Sequence, residues 1–445
     1  MAARIVDLVH KKRLHRLVFS DAMSRPTFLE RVQQTRRLIQ SEGRLGVAAR
    51  LLERTSRAIT PLNSARLCVT REDMVRAAEI SAAGWKLPRP LPLADGEPLT
   101  VAWSCVPPGG GAGGATTMFR LISALEQTGN RCVIYLHDRH GWSLRQHEQV
   151  IREWWPEVKA EVRDGSRGIE DAHAIFATSW PTAYPVLTSP ARGARFYLVQ
   201  DLEHMFYAAG SEALLAEATY SFGFHGVTPG RWLAQELGRR YGMPAEHFDF
   251  GCDLERYRLE NADERDGVCL YLRPSAPRRA SELGIMALDL FAERHPEIEI
   301  HLYGETVARL PIKATNHGRL TVDQVNDLYN RCVAGLTLSA TNCSLVPWEM
   351  LAAGCIPVVN DAEHNRVVLD NPQVVYAPAT PFDLANALCA LVERPASDRY
   401  DAVRAAAESV QGNSWEDAGT VVERIIRAEA AQPPEPTAAQ PTSHS

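Results

Sequence analysis

The chain has 445 residues, enough for two or three domains with a substantial core. At 45% apolar and 23% charged residues it sits near the globular average, which excludes wholesale disorder and fibrous classes. Its 48 Lys+Arg against 54 Asp+Glu leave a net charge of −6, with no footprint of a polyanion binder. No apolar run reaches the ~18 residues of a spanning helix, and basic residues interrupt positions 1–20, so neither a membrane span nor a secretory signal is expected.

The average hides an asymmetry. Residues 1–80 hold 16 Lys+Arg and 8 Asp+Glu, a net of +8, and the remainder holds 32 against 46, a net of −14. Nine cysteines are scattered without a CxxC pair, which reads as buried thiols in a reducing, cytoplasmic compartment.

In chain order, residues 1–95 read as a basic helical extension and linker. Thr27 and Glu30 form a capping-box signature ahead of Phe28, Val32, Thr35 and Ile39 at helical spacing. The first twenty residues suit either a packed helix or one lying on anionic lipid. Pro88, Pro90, Pro92 and Gly96 mark the linker.

From residue 96 to 260, strands at 101–106, 132–136, 174–177, 196–199 and 226–228 alternate with helices at 115–127 and 231–240. A second series over 261–396 places strands at 268–272, 298–303, 334–338 and 356–359, and helices at 281–294, 322–330 and 345–353. The pattern predicts two Rossmann-like α/β domains facing a cleft, with ligands at the carboxyl ends of parallel strands. Residues 397–428 read as helices crossing back to the first domain, and 429–445 as a disordered Pro/Ala/Thr-rich tail.

Gly109, Gly111 and Gly114 satisfy GxGxxG between a strand and a helix, and Asp138 ends the next strand. This fits an NAD(P) site, a nucleotide-sugar diphosphate or a merely tight turn. In the second domain Arg273, Arg278 and Arg279 follow a strand, where guanidinium forks suit a diphosphate and can stabilise a departing phosphate. Further on, Ser344 is placed to cap the helix over 345–353, Pro347 lies in its first turn and Gly354 follows its end. Free N–H groups near Ser344, Leu345 and Val346 would attract an anion. Glu349, inside this apolar helix, needs a partner such as a ribose diol or a salt bridge. In the first domain, Gln200, Asp201, Glu203, His204 and Tyr207 crowd one strand end. There Asp201 and Glu203 are candidate catalytic carboxylates, and Gln200, Asp201 and Tyr207 candidate acceptor contacts.

Taken together, these segments resemble GT-B glycosyltransferases over about residues 98–395. Val227-Thr228-Pro229-Gly230-Arg231-Trp232-Leu233 and Gly251-Cys252-Asp253-Leu254 look like the passage into the nucleotide-binding domain. Arg273 with Arg278 matches the pair that holds the donor diphosphate, and Glu349 before Ala-Ala-Gly-Cys-Ile-Pro-Val-Val matches the donor-ribose helix. The Tyr-x-x-Gln-Asp-x-Glu and Arg-Pro-x-x-x-Arg patterns are similar to those of WsaF-type rhamnosyltransferases. The resemblance implies a retaining transferase that moves L-rhamnose from dTDP-L-rhamnose to a lipid-linked surface glycan, without a bound metal; the +8 of residues 1–80, which lies outside the resemblance, suits peripheral contact with an anionic membrane at the inner face of the plasma membrane or with a synthesis complex. The resemblance also implies donor contacts from Gly111, Gly113, Gly114, His317, Thr341, Asn342, Ser344 and Leu345. One departure stands out: related retaining enzymes carry two Glu separated by seven residues; the second corresponds to Glu349, and the first position here is Thr341. An oxidoreductase using the glycine loop, an inverting displacement with Asp201 as base and a non-catalytic GT-B-like subunit remain the alternatives.

Overall fold

The structure is a computed structural model that describes residues 69–82, 87–111, 113–138, 141–262, 265–412 and 414–430. The capping box at Thr27, the basic helix over 1–20 and most of the tail lie outside these residues. The chain divides into a unit over residues 1–66 and a unit over 67–445, and the second contains both sheets.

Helix α1 (Arg71–Ala82) precedes the first sheet. Then come β1 (Thr100–Cys105), α2 (Gly113–Gln127), β2 (Arg131–Leu136), α3 (Leu144–Trp154), β3 (Glu161–Asp164), β4 (Ala174–Ala177), α4 (Trp180–Thr188), β5 (Ala194–Leu198), α5 (Ser211–Ala218), β6 (His225–Pro229), α6 (Arg231–Tyr241) and β7 (Ala245–Phe248). The strands lie in the order β3-β2-β1-β4-β5-β6-β7, all parallel. Covered on both faces, the inner strands are continuous apolar runs, as parallel sheets require. Trp103, Phe176 and Phe196 stack across β1, β4 and β5 with centroids 4.3 and 4.9 Å apart.

The second lobe holds β8 (Gly267–Leu272), α7 (Ser281–Arg294), β9 (Glu299–Gly304), β10 (Thr315–Asn316), α8 (Val322–Arg331), β11 (Cys332–Leu336), α9 (Val346–Ala352), β12 (Ile356–Asn360), α10 (Glu363–Leu369), β13 (Val375–Ala377), α11 (Pro381–Val392) and α12 (Ala396–Glu408). Its order is β10-β9-β8-β11-β12-β13, again parallel. Both sheets therefore reverse direction of growth at their centres, between β1 and β4 and between β8 and β11, where an open α/β sheet offers a crevice at its carboxyl edge. The last helix, α13 (Trp415–Ala430), returns to the first lobe. There Glu423 accepts from Thr128 and Asn130, and Glu429 lies 3.1 Å from His225.

Two boundaries differ from the sequence expectation. Val69 and Ala77 are buried in the first lobe's core beside Met74 and Ile80, so α1 belongs to that lobe and not to a separate extension. Helix α13 continues to Ala430, two residues into the expected tail. The eight described cysteines are free and buried. Among the described residues no helix is long and apolar enough to cross a membrane.

Candidate functional site

The loop after β8 gathers three arginines. Its backbone is fixed first: Arg273 N–H donates to Ser281 Oγ (3.0 Å), and Ala340 N–H, from the loop after β11, donates to the Arg278 carbonyl (2.8 Å). The three guanidiniums then meet different fates. Arg273 lies 3.4 Å from both Glu305 Oε1 and Tyr271 Oη, and Glu305 is itself held by Ser275, which keeps its carboxyl below the usual range. Arg278 reaches across the cleft, with Nε 3.4 Å from Asp201 Oδ2 and the guanidinium 4.0 Å over the Phe206 ring. Arg279 Nη1 and Arg278 Nε are both buried with no hydrogen-bond partner among the described residues. An orphaned guanidinium nitrogen is costly, and it marks where an anionic ligand would be accepted.

The first lobe answers from the end of β5. Gln200 Nε2 donates to the Gly114 carbonyl (2.9 Å), and the Gln200 carbonyl accepts from Asn342 Nδ2 (2.9 Å). Asp201 Oδ1 accepts from Leu202 N–H (2.9 Å), and Oδ2 accepts from Thr341 Oγ1 (3.0 Å). Burial pushes the Asp201 carboxyl up, opposed by Thr341 and by the two arginines. Thr341 and Asn342 are themselves buried, and Asn342 Oδ1 has no partner among the described residues. Unpaired donor and acceptor atoms thus collect where the lobes meet.

Several expectations change. Glu203 does not face the cleft chemistry: Oε1 accepts from Tyr197 Oη (2.6 Å) and Oε2 from Trp180 N–H (3.0 Å), while its own N–H donates to Tyr220 Oη (2.8 Å). It holds the first lobe together, and burial pushes its carboxyl up to about 7. The Tyr207 hydroxyl likewise accepts from Trp180 Nε1 (2.9 Å). Ser344 does not cap the helix, because α9 begins at Val346 with Leu345 as its first flanking residue and no side-chain cap. The preceding turn is held instead by Ser339 Oγ donating to the Asn342 carbonyl (2.5 Å).

Glu349 projects from α9 towards Tyr257 and Asp253, and burial together with the Asp253 charge pushes its carboxyl up to about 7. His317 sits at the edge of the second lobe, its Nε2 3.2 Å from His301 Nδ1, and burial lowers the proton affinity of both rings. Within the glycine loop the tightest packing falls on a glycine outside the GxGxxG positions. A Cβ at Gly110 would lie 2.4 Å from the Trp154 indole, so that glycine is required by packing, while Gly111 turns the chain at φ +69° and Gly113 opens α2. Asp138, the acid a dinucleotide ribose would need, lies 3.4 Å from His147 Nε2.

A cavity of about 320 Å³ opens on the hinge side, lined by Gly230, Arg231, Asp249, Phe250, Trp348 and Val368. It borders the helix of Glu349 but none of the three arginines. Gly230 is required there: at φ +78° its Cβ would meet Val368 of the second lobe at 2.8 Å. Arg279 is the residue that sequence reasoning ranks too low. The tandem Arg-Arg is visible in the chain, but only folding brings both charges to bear on Asp201, with Arg278 in ion-pair range.

Residues 266–389 match the family described as WsaF, C-terminal domain. Over 262 residues the chain is 33% identical to the O-antigen biosynthesis protein RfbC of Myxococcus xanthus, covering 56% of this chain and 20% of that protein. It therefore spans about a fifth of that relative's length. Among solved structures, HepE of Anabaena in complex with UDP-glucose superposes with a TM-score of 0.58 at 13% identity, over 74% of this chain and 100% of that one. A mutant of S. aureus TarM in complex with fondaparinux, alpha-GlcNAc-glycerol and UDP gives 0.61 at 7% identity, over 75% and 100%. At such identities the likeness is one of fold. The chain carries a WsaF-type C-terminal domain within a two-sheet body of the GT-B fold.

Proposed function

We propose that this protein is a glycosyltransferase of surface-polysaccharide synthesis, moving a sugar from a nucleoside-diphosphate donor to a glycan acceptor between its two lobes. The observation that carries the reading is the arginine cluster at the crevice of the second sheet, where buried nitrogens of Arg278 and Arg279 have no hydrogen-bond partner among the described residues and both charges act on Asp201 of the first lobe. Loss of a nucleoside diphosphate leaves growing negative charge on the bridging oxygen, and fixed guanidiniums in a closed, low-dielectric cleft stabilise that charge in place of a metal. Glu349 would take the donor ribose. The name of the RfbC relative and the UDP bound to HepE and TarM support the substrate class.

The finer reading is a retaining rhamnosyltransferase using dTDP-L-rhamnose, with the departing phosphate taking the acceptor proton. Its retaining course is favoured by the state of Asp201, whose two oxygens already serve Leu202, Thr341 and Arg278, leaving it poorly placed as a base for inversion, while the sugar rests on the sequence resemblance alone. The Asp361-Ala362-Glu363 segment is a poor metal ligand for the same kind of reason, since Arg366 holds both Asp361 oxygens (2.5 and 2.8 Å). The basic charge of residues 1–66 is assigned to holding the enzyme at an anionic membrane, where lipid-linked acceptors are found. The pairing of Asp138 with His147 counts against the oxidoreductase reading.

Incubating the purified chain with a panel of nucleotide sugars and measuring released nucleoside diphosphate tests the proposal. Release from a deoxy-sugar donor, lost in Glu349→Ala, is expected. Absence of release from every donor, with or without glycan acceptor, would overturn it.

A further inference from the structure

A second group of side chains, unrelated to the cleft, converges at the other end of the second sheet. His295 is the C-cap of α7 and Glu393 the C-cap of α11, and Cys389 lies one turn before Glu393 on the same helix face. One donor atom from each, an imidazole nitrogen, a thiol sulfur and a carboxylate oxygen, all lie within 4.8 Å of one another. We propose that His295, Cys389 and Glu393 form a zinc site that clips α7 to α11.

Donor chemistry selects the cation. A thiolate, an imidazole and a carboxylate are the ligand set of zinc, whereas magnesium and calcium take oxygen ligands alone. The imidazole is already oriented for the task. Nε2 points at Glu393 Oε1 (3.0 Å) and Nδ1 is held by Glu297 Oε1 (3.2 Å), so the ring offers Nε2 inward while a carboxylate outside the donor set supports it from behind. The setting is favourable in a second, independent way. Both helices terminate here, and their carbonyl ends direct partial negative charge at the cluster. Cys389 is 3% exposed and the His295 side chain 15%, which shields the ligands, while Glu393 at 61% leaves a path from solvent. The neighbouring Arg294 donates to Asn386 (2.8 Å) and places a positive charge close enough to Cys389 to favour its thiolate.

Position defines the role. His295 immediately precedes β9, so the cluster lies at the amino edge of the sheet, opposite the carboxyl edge that carries the arginines. Zinc there would fasten the frame of the second lobe and take no part in transfer. Binding replaces the thiol proton with the metal–sulfur bond and releases that proton to solvent.

The test uses the untagged full-length chain, stripped with a chelator and titrated with Co²⁺ as a spectroscopic stand-in for zinc. One equivalent should bind with thiolate-to-cobalt charge-transfer absorption, be displaced by Zn²⁺, and lose that absorption in Cys389→Ser. His295→Ala and Glu393→Gln, near the surface and so tolerant of substitution, should each weaken binding by about tenfold or more, and Glu297→Gln by about 10- to 100-fold. Zinc should also raise the melting temperature of the wild-type chain and leave that of His295→Ala unmoved. Absence of stoichiometric cobalt uptake, or a thiolate band that persists in His295→Ala and Glu393→Gln at unchanged affinity, would overturn the site. Transferase activity does not enter either outcome.

Discussion

Thr341 and Asp201, 140 residues apart in the chain, meet across the cleft through a 3.0 Å hydrogen bond from the threonine hydroxyl to the carboxylate, with Arg278 3.4 Å from the same oxygen. Position 341 is where related retaining enzymes carry a glutamate. Here a carboxylate arrives at that place from the opposite lobe, and a second one from residue 341 would face Asp201 with like charge in a buried site. The neutral hydroxyl is the partner that Asp201 tolerates.

Replacing Thr341 by Val keeps the shape and removes the donor. Buried Asp201 is then left one hydrogen bond short, which should lower unfolding free energy by about 1–3 kcal/mol in denaturant titration. In a double-mutant cycle with Asp201→Asn, a coupling energy of about 0.5 kcal/mol or more is expected. Simple additivity would mean that the contact contributes nothing.

Arg279 and Arg278 should differ in degree. Arg279→Ala removes a guanidinium whose buried Nη1 has no partner among the described residues and whose charge opposes the burial of Asp201, so transfer should fall about 100- to 1,000-fold with a small drop in thermal midpoint. Arg278→Ala removes the guanidinium that lies 3.4 Å from Asp201 Oδ2 and over the Phe206 ring, and should lower the midpoint further as well as activity. Comparing melting curves with initial rates for the two variants separates the roles.

Donor affinity should depend on Glu349 ionisation. Its carboxyl is pushed up to about 7, so the anion that accepts two ribose hydroxyls becomes populated as pH rises through that value. Donor binding followed by calorimetry from pH 6 to 8 should tighten in the wild type, and Glu349→Gln should bind more weakly with a flat profile.

Glu203 makes a stability prediction instead. Its proton is held more tightly in the folded chain (about 7) than in the unfolded chain (4.5), so stability is complete below the lower value and is lost as pH climbs through the upper one. A gap of this size corresponds to a loss on the order of 3 kcal/mol. Unfolding free energies measured between pH 5 and 8 should fall, and in Glu203→Gln the fall should be shallower from a lower starting value, because the amide cannot accept from both Tyr197 and Trp180.

The basic amino end can be removed cleanly only to residue 66. That segment carries 14 Lys+Arg against 5 Asp+Glu, and cutting there leaves α1 in place. The truncated protein should bind donor normally, lose affinity for anionic vesicles in sedimentation and turn over membrane-presented acceptor more slowly. Deletion through residue 80 should in addition destabilise the first lobe, since Val69 and Ala77 are part of its core.

The amino-acid sequence by itself determined the inner strands of both sheets, because a parallel strand buried on both faces must be a continuous apolar run. It also determined which loops carry arginines, glycines and carboxylates, since these follow strand ends at fixed places in a βαβ chain. The strands it did not reveal, β3, β7, β10 and β13, are the four sheet edges, and an edge open to solvent needs no apolar run. The helix at Glu349 was legible from its apolar surroundings. Its cap was not, because Ser339 and Asn342 settle the preceding turn by a contact that residue preferences do not encode. Only the tertiary structure decided that Arg278 and Arg279 both act on Asp201, that Glu203 serves the core, and that Asp201 stands opposite Thr341. Each of those depends on which groups from a distant part of the chain arrive to satisfy a buried charge, and that is fixed by how two lobes meet, not by the residues on either side in sequence.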